Sequence, residues 1–214
     1  MKKDDRYDVS GLVEAQFERG SGGRVLKNRI GIKSRRKMDE AEAVALRAAM
    51  DELVRKYDKD HRFTAADVRA MHRSWLGGIY EWAGEYRNVN LAKDGFPFAA
   101  AALVPSLMTR FERDVLARCT PCYSRSRDEV VRALAQVHVE LVLIHPFREG
   151  NGRIARALSL LMALQAGLPL LDFSLIAGRR KKDYFAAIQA GLDRNYGWMG
   201  RLFAEIIDRS LAAS

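Results

Sequence analysis

The chain has little cysteine and little proline, which excludes a disulfide-rich or a proline-rich scaffold. Its 214 residues include two cysteines and five prolines. The cysteines form one Cys119-Thr-Pro-Cys122 pair, which is two ligands short of a zinc site. A redox role would need a βαβ pattern around the pair, and the sequence shows none. We therefore predict an ordinary loop with both thiols reduced.

Long apolar runs are also missing. A membrane span needs about 18 apolar residues, and the most apolar stretch, Leu158 to Leu171, is broken by Gln165 and Gly167. The N-terminal letters MKKDDRYD lack the apolar middle of a signal peptide. We therefore expect a cytoplasmic chain with no membrane partner, and its length allows a single domain with a sizeable core.

Positive charge is in excess. The formal net charge is +9, and basic residues cluster around Lys33–Lys37 and Arg179–Lys182. Such a field suits anionic partners such as nucleotides, nucleic acid or acidic protein. No aromatic interleaving or known nucleic-acid motif accompanies the clusters, so we expect solvated faces or a nucleotide-attracting field rather than nucleic-acid recognition.

Helical periodicity dominates the sequence. Apolar residues at three- and four-residue steps predict helices, and Thr64-Ala-Ala-Asp67 resembles a capping box with Asp in place of Glu. The exception is an Asp94-Gly95 turn between β-prone runs, which predicts a hairpin over about 86–98. We predict a mostly α fold with helices over 38–57, 64–79, 104–118, 130–144, 154–168, about 184–192 and about 199–211, and an irregular run over 169–179.

The densest chemistry lies in His145 to Arg156, which reads HPFREGNGRIAR between two predicted helices. A helix start offers unpaired N–H groups to anions, and Gly150 and Gly152 let a ligand approach the backbone closely. Arg153 and Arg156 could clamp successive phosphates. Glu149 could supply an oxygen ligand to a divalent cation, and His145 could accept a proton near neutral pH. These residues predict a triphosphate site with a metal ligand and a base.

At these residues the sequence resembles the Fic (filamentation-induced) family, whose motif is HxFx(D/E)GNGRxxR. Every specified position matches, from His145 and Phe147 to Arg153 and Arg156. The resemblance implies a helical bundle with a small β-hairpin flap over the active site, as in compact toxin-like members. It also implies transfer of AMP from ATP, with Mg²⁺, to a Ser, Thr or Tyr hydroxyl of a target protein.

The resemblance also implies individual roles. His145 would be the base and Glu149 the Mg²⁺ ligand. Gly150, Asn151, Gly152 and Arg153 would hold the α- and β-phosphates, and Arg156 would pair with the γ-phosphate. Tyr184 resembles a residue that borders the adenine, although a core aromatic is an equal alternative; Lys93 in the flap is either a nucleotide or target contact or a solvated lysine.

The family resemblance sets the expected layout of the chain. Residues 1–33 would form an N-terminal arm and loop, and residues 34–214 a single Fic domain. The flap, residues 86–98, would hold the target segment by strand addition; the alternative is a surface hairpin with two phenylalanines docked in the core. Phe147 is interpreted as an inward-pointing core anchor, His138 as a structural residue at the edge of the buried stripe, and His72 as a histidine on a helix face rather than a ligand.

Alternative activities remain open at this point. Some Fic relatives transfer UMP or phosphocholine, and the death-on-curing branch phosphorylates, although that branch departs from the GNGR letters kept here. A non-catalytic basic binding module is a second alternative. It is disfavoured because binding alone would require neither His145 nor Glu149.

The resemblance also implies how such an enzyme would be inhibited. Many relatives are restrained by a helix of pattern (S/T)xxxE(G/N) whose Glu pairs with the second motif arginine. Ser10-Gly-Leu-Val-Glu14 matches this pattern except that Ala15 replaces the final Gly or Asn. Because Gly11 and the following glycines make a poor helix, we favour a separate small antitoxin helix that pairs with Arg156 over internal inhibition by Glu14.

Overall fold

The structure is a computed structural model, and it describes residues 11–123 and 125–213. It is mostly helical and has a single short hairpin within the described ranges. The helices, in chain order, are α1 (Arg35–Lys56), α2 (Ala65–Leu76), α3 (Val104–Phe111), α4 (Ala117–Cys119), α5 (Arg127–Ile144), α6 (Asn151–Gln165), α7 (Ser174–Ala177), α8 (Lys181–Ala190) and α9 (Gly197–Ala212). The strands of the hairpin are β1 (Ala92–Lys93) and β2 (Phe96–Pro97).

Helix α5 is the central element, packed against α3, α6, α8 and α9. From Ala133 onwards most of its side chains are buried, and Arg132, Gln136 and Glu140 form a narrow polar stripe, as expected for a helix with neighbours on most sides. Its buried residues include Val130, Leu134, Val137, Leu141 and Ile144, the stripe expected from the sequence. Helix α6 follows after a short loop and packs back on α5, so the loop between them lies at one end of the core.

Capping chemistry sets the helix starts. Thr64 accepts from the Asp67 N–H while Asp67 accepts from the Thr64 N–H, which confirms the capping box with Asp in place of Glu. Helix α1 starts three residues earlier than predicted, because the Ser34 side chain caps it by accepting from the Lys37 N–H. Helix α2 ends at Leu76, so Ile79 packs in the core from beyond the helix.

The predicted helix over 104–118 is continuous but irregular. A π-helical turn, Glu112–Leu116, joins α3 to α4. The predicted irregular run 169–179 is wrong in one part, because Ser174–Ala177 forms a short helix. Asp172 starts it by accepting from the Ser174 backbone N–H and hydroxyl. The sequence after Pro169 offers only one turn, too short to show a period.

The Asp94-Gly95 turn is confirmed. Both residues have positive φ, the conformation that a two-residue hairpin turn requires. The paired strands are shorter than expected, since only Ala92↔Pro97 and Lys93↔Phe96 are in register. Pro97 has no N–H to extend the ladder, and Phe98 N–H reaches Leu91 O just beyond it.

The predicted loop begins at Thr120, because Cys119 is the last residue of α4, and it contains Cys122. Both thiols are free and buried, and burial raises the pKa of Cys122 to about 12. No group of three or more metal-binding side chains occurs among the described residues. In the same part of the chain no helix is long and apolar enough to cross a membrane.

Candidate active site

The loop between α5 and α6 is held in a fixed shape by its own residues. His145 ends α5 in the left-handed region, at φ 53°, and Gly150 precedes α6 at φ 84°. The Asn151 side chain closes the loop, because its Oδ1 accepts from Phe147 N and its Nδ2 donates to Phe147 O. Phe147 is fully buried and stacks on His72, 3.9 Å between ring centroids, which confirms Phe147 as a core residue. His72, expected on a helix face, is also fully buried.

Gly150 and Gly152 differ in what they permit. A Cβ at Gly150 would lie 2.6 Å from Trp75 Cζ3, so a side chain there is excluded by packing as well as by its positive φ. A Cβ at Gly152, in the first turn of α6, would meet nothing within 4 Å. The protein itself therefore needs glycine at 150, whereas at 152 it leaves open space.

The start of α6 has the backbone donors that an anion needs. No side chain within the described part of the chain caps this helix, and the loop before it ends at Gly150. The first N–H groups of an α-helix have no acceptor within the helix, and they carry the positive end of its dipole. The N-terminus of α6 therefore presents donors at the position where the sequence predicted phosphate binding.

His145 is prepared to act as a base. Its Nδ1 lies 3.0 Å from the Val142 carbonyl, which can only accept, so Nδ1 carries the proton and Nε2 carries the lone pair. The ring stacks on Phe98 of the flap at 3.6 Å. Burial, with the nearby cations Arg87 and Lys93, lowers the pKa of His145 to about 4. The imidazole is therefore neutral at pH 7.

Arg153 and Glu149 contact each other. Arg153 Nη2 lies 3.3 Å from Glu149 Oε1, which also accepts from the Gly150 N–H. Arg153 Nη1 lies 2.6 Å from a second carboxylate, Glu42, and its guanidinium sits 4.6 Å above the Trp75 ring. The first motif arginine is thus placed by two carboxylates and one aromatic face.

Arg156 contrasts with Arg153. No carboxylate among the described residues lies within ion-pair distance of it. Burial lowers its pKa, and the neighbouring Arg153 acts in the same direction. A half-buried guanidinium without a carboxylate is a ready partner for an anion.

Tyr184 and His138 form a pair beside Arg156. Tyr184 Oη lies 3.0 Å from His138 Nε2, and His138 Nδ1 lies 3.2 Å from Ser159 Oγ. Burial raises the pKa of Tyr184 to about 12. His138 is fully buried, as expected for a structural residue. Tyr184 therefore contacts a core residue, His138, and also lies near Arg156, so both interpretations of Tyr184 stay possible.

Lys93 lies on β1 and is exposed. Its Nζ is 4.7 Å from the centre of the Phe185 ring on α8. Its charge also contributes to the lowered pKa of His145. The hairpin therefore brings Lys93 towards the residues around His145 and Tyr184.

Glu14 does not contact Arg156. It lies in a short 3-10 helix, Val13–Ala15, and is buried. Its Oε1 accepts from the Asn88 N–H and its backbone O accepts from Arg148 Nε. Glu14 therefore joins the base of the flap to the active-site loop. Ser10, its expected companion, lies outside the described residues.

Sequence reasoning missed two buried charges at the site, Glu42 and Arg87. Glu42 occupies a position in the buried stripe of α1, between Met38 and Ala49, where an apolar residue is expected. A charged residue at that position was the sequence signal that could have identified it. Arg87 is 1% exposed and donates to the carbonyls of His145, Val89, Ala99 and Ile144. Nothing in its sequence neighbourhood marks it.

The two buried histidines predict loss of stability in mild acid. Burial lowers the pKa of His72 to about 4 and that of His138 to about 3. At pH 5 the unfolded chain binds both protons and the folded chain binds neither, so the free energy of unfolding falls as pH drops below about 6.5. These two imidazoles account for a loss on the order of 4 kcal/mol between pH 7 and pH 5, and His145, whose pKa is also lowered to about 4, adds to it; urea unfolding measures the total. An unchanged urea midpoint would contradict neutral, buried imidazoles.

The fold and the site together define a class. The chain is a mostly helical protein. One loop and the helix after it carry a neutral histidine, a carboxylate and two arginines at an uncapped helix start, the groups that an enzyme of phosphate esters would require.

Comparison with known proteins identifies the family. The Fic/DOC family profile matches residues 62–163. Protein adenylyltransferase VbhT of Bartonella schoenbuchensis is 31% identical over 67% of this chain, which spans 30% of that protein's length. The Salmonella typhimurium protein named probable protein adenylyltransferase Fic is 30% identical over 70% of this chain and 72% of its own.

A solved structure agrees in fold. The crystal structure of BepC from Bartonella tribocorum, with bound AMPPNP, has a TM-score of 0.73 and 25% identity, and covers 92% of this chain and 97% of its own. The chain belongs to the Fic/DOC family.

Proposed function

We propose that this chain is a protein adenylyltransferase that transfers AMP from Mg²⁺-bound ATP to a Ser, Thr or Tyr hydroxyl of a target protein. The observation that carries the proposal is the state of His145. Its Nδ1 donates to Val142 O, and its Nε2 has no hydrogen bond to any residue that the structure describes, so Nε2 can take a proton at the loop that leads into the uncapped start of α6. Protein adenylyltransferase is also the activity in the names of its curated relatives.

The reaction divides among the chain's own residues. His145 Nε2 removes the proton of the target hydroxyl, whose oxygen attacks the α-phosphorus as the bond to pyrophosphate breaks. The α6 N–H groups and Arg153 bind the α- and β-phosphates, and Arg156 pairs with the γ-phosphate. Because Asn151 uses its amide on Phe147, its part is to shape the loop. Such catalysis is mainly positioning and charge stabilisation.

The residues present fit Mg²⁺ in the manner usual for nucleotide sites. Mg²⁺ is commonly bound by one or two carboxylates, with phosphates and water completing the shell. Glu149 offers the carboxylate, and its Oε1 accepts from the Gly150 N–H and lies 3.3 Å from Arg153 Nη2. When bound, the ion would neutralise charge that develops between the α- and β-phosphates.

The flap fits the docking of an extended target segment. Its two strands are short, and their residues are exposed or half-buried. An unpaired strand edge can accept another chain by main-chain hydrogen bonds. Phe98 joins the flap to His145 by ring stacking, so a target strand on the flap would bring its hydroxyl near the base. Lys93 and Tyr184 are proposed contacts of the nucleotide.

Gly150, at the end of the loop, and Gly152, in the first turn of α6, give a matched test of nucleotide approach. Gly152→Ala should keep or raise the free energy of unfolding, because alanine is the better helix former and meets no neighbour. It should weaken AMPPNP binding about tenfold if the ligand needs the space. Gly150→Ala, the control, should lose about 2–4 kcal/mol of stability through its positive φ and the Trp75 contact.

Urea unfolding and calorimetric titration measure both effects. Unchanged AMPPNP affinity in Gly152→Ala would mean that no ligand approaches the start of α6 as closely as proposed.

A small separate helix is the proposed inhibitor. The half-buried Arg156 has no carboxylate partner among residues 11–123 and 125–213, and a Glu from such a helix would compete there with the γ-phosphate. Internal inhibition by Glu14 would require that residue to leave its contact with Asn88. We further propose a cytoplasmic location, where ATP and Mg²⁺ are available, and a division into residues 1–33 and a Fic domain over 34–214.

The alternatives differ in what they transfer. A kinase would transfer the γ-phosphate, UMP or phosphocholine transfer would need other donors, and a basic binding module would transfer nothing. The exposed basic clusters favour none of these, since Arg35, Arg36 and Arg180 are paired with nearby carboxylates.

One incubation separates them. Lysate protein is incubated with the chain and ATP labelled at the α- or the γ-phosphate, and salt-dependent retention of nucleic acid is measured separately. Relative to lysate without the chain, the proposal expects additional protein label from α-labelled ATP and none from γ-labelled ATP. Labelling by the γ-label alone would overturn it in favour of a kinase.

A further inference from the structure

Glu42 is a buried carboxylate that the proposed reaction does not use. It lies on α1 and is 2% exposed. Its Oε1 accepts from the Tyr80 hydroxyl at 2.6 Å. Burial and this carboxylate raise the pKa of Tyr80, so its hydroxyl remains the donor. A buried charge without a partner costs several kcal/mol, so the other oxygen must also be balanced.

Arg153 provides that balance. Its Nη1 lies 2.6 Å from Glu42 Oε2, which has no hydrogen bond of proper geometry among the described residues. The contact is thus an ion pair rather than an aligned hydrogen bond. The Trp75 ring under the Arg153 guanidinium is fixed in turn by α1, because Trp75 Nε1 donates to the backbone O of Glu42. Glu42 therefore acts on Arg153 twice, directly through its carboxylate and indirectly through its backbone O, which fixes the Trp75 ring.

The two carboxylates that contact Arg153 are not equivalent. The Glu149 side chain is 35% exposed and its contact to Nη2 is 3.3 Å, whereas the Glu42 side chain is 2% exposed and its contact is 2.6 Å. An incoming phosphate or Mg²⁺ can replace the long, exposed contact at little cost. It cannot replace the short, buried one without leaving Glu42 uncompensated.

We propose that Glu42 is a positioning residue, which holds one end of the Arg153 guanidinium so that the other end faces the nucleotide phosphates. This inference rests on the proposed function, since it takes Arg153 as a phosphate ligand. It predicts that the Glu42 pair persists while the Glu149 contact is exchanged. Without Glu42, Arg153 would turn to Glu149, and both groups would be withdrawn from the Mg²⁺–nucleotide complex.

Glu42→Gln tests this with little change in shape. We expect AMPPNP in Mg²⁺ to bind about tenfold more weakly, and a higher Mg²⁺ concentration to be needed for half-maximal binding. Tyr80→Phe is the matched control, because it removes the other bond to the same carboxylate and leaves the Arg153 pair. It should lower the urea midpoint while AMPPNP affinity stays within about twofold.

A double-mutant cycle with Arg153→Ala separates positioning from general damage. If Glu42 acts through Arg153, adding Glu42→Gln to Arg153→Ala should not weaken AMPPNP binding further. Equal additional loss in that background would overturn the inference, as would unchanged affinity in the single variant. Tighter binding by Glu42→Gln would also overturn it, because Glu42 would then compete with phosphate.

The proposed function fails separately from this inference. Wild-type protein that does not bind AMPPNP, or that labels no protein from α-labelled ATP, would refute the function itself. Wild-type binding and transfer with an unaltered Glu42→Gln variant would refute only the role of Glu42.

Discussion

His145→Ala is expected to lower AMP transfer by a factor of about 10² or more while AMPPNP affinity stays within about twofold of wild type. A general base contributes about 10²–10⁴ to a rate, and this one acts on the target hydroxyl rather than on the nucleotide. The comparison is made by single-turnover transfer and by calorimetric titration of AMPPNP. Transfer near the wild-type rate in this variant would remove His145 from catalysis.

The pH dependence gives an independent check of the same residue. Because burial lowers the pKa of His145 to about 4, the base is already neutral at pH 5.5. Transfer by wild-type protein should therefore be nearly constant from pH 7.5 to 5.5. An imidazole with an ordinary pKa near 6.5 would instead lose about tenfold at the acid end. That loss, in protein shown to be folded at pH 5.5, would contradict the buried neutral base.

Arg87→Met is expected to lose about 3–5 kcal/mol of stability and to impair transfer more than nucleotide binding. The Arg87 guanidinium donates to His145 O at 2.6 Å and Val89 O at 2.7 Å, and also to Ala99 and Ile144. Methionine would leave these buried carbonyls without donors. Because these carbonyls belong to the base of the flap and to the backbone around His145, the flap and His145 should shift together.

Arg87→Lys serves as the control for that result. It keeps the charge but has one ammonium in place of the planar guanidinium, so it should recover only part of the stability. Urea unfolding gives the stability, and transfer is compared per folded molecule. A wild-type urea midpoint in Arg87→Met would show that these carbonyls do not depend on the guanidinium.

Local signals in the sequence were enough for much of this protein. Periodicity predicted the central helix, Thr64 with Asp67 predicted the start of α2, and Asp94-Gly95 predicted the turn. Each is decided by residues a few positions apart. The site loop was predicted for the same reason, since its base, carboxylate and arginines lie within a dozen residues.

What the sequence could not predict depends on distant contacts. Arg87 bonds to His145 O across 58 positions, and the Arg153 pair joins α6 to Glu42 on α1. A charged side chain normally indicates a solvated face, so only its position in the apolar stripe of α1 set Glu42 apart. The short strands also depend on context, because the flap is shaped by Arg87 and Phe98 more than by its own pairing.

Peptide mapping of modified protein tests the central claim most directly. Lysate incubated with ATP and Mg²⁺ is compared for wild-type protein and His145→Ala, and modified peptides are sequenced by mass spectrometry. We predict an added AMP on Ser, Thr or Tyr hydroxyls with wild-type protein and almost none with the variant. Adducts of phosphate alone, or equal AMP adducts with both proteins, would contradict AMP transfer by His145.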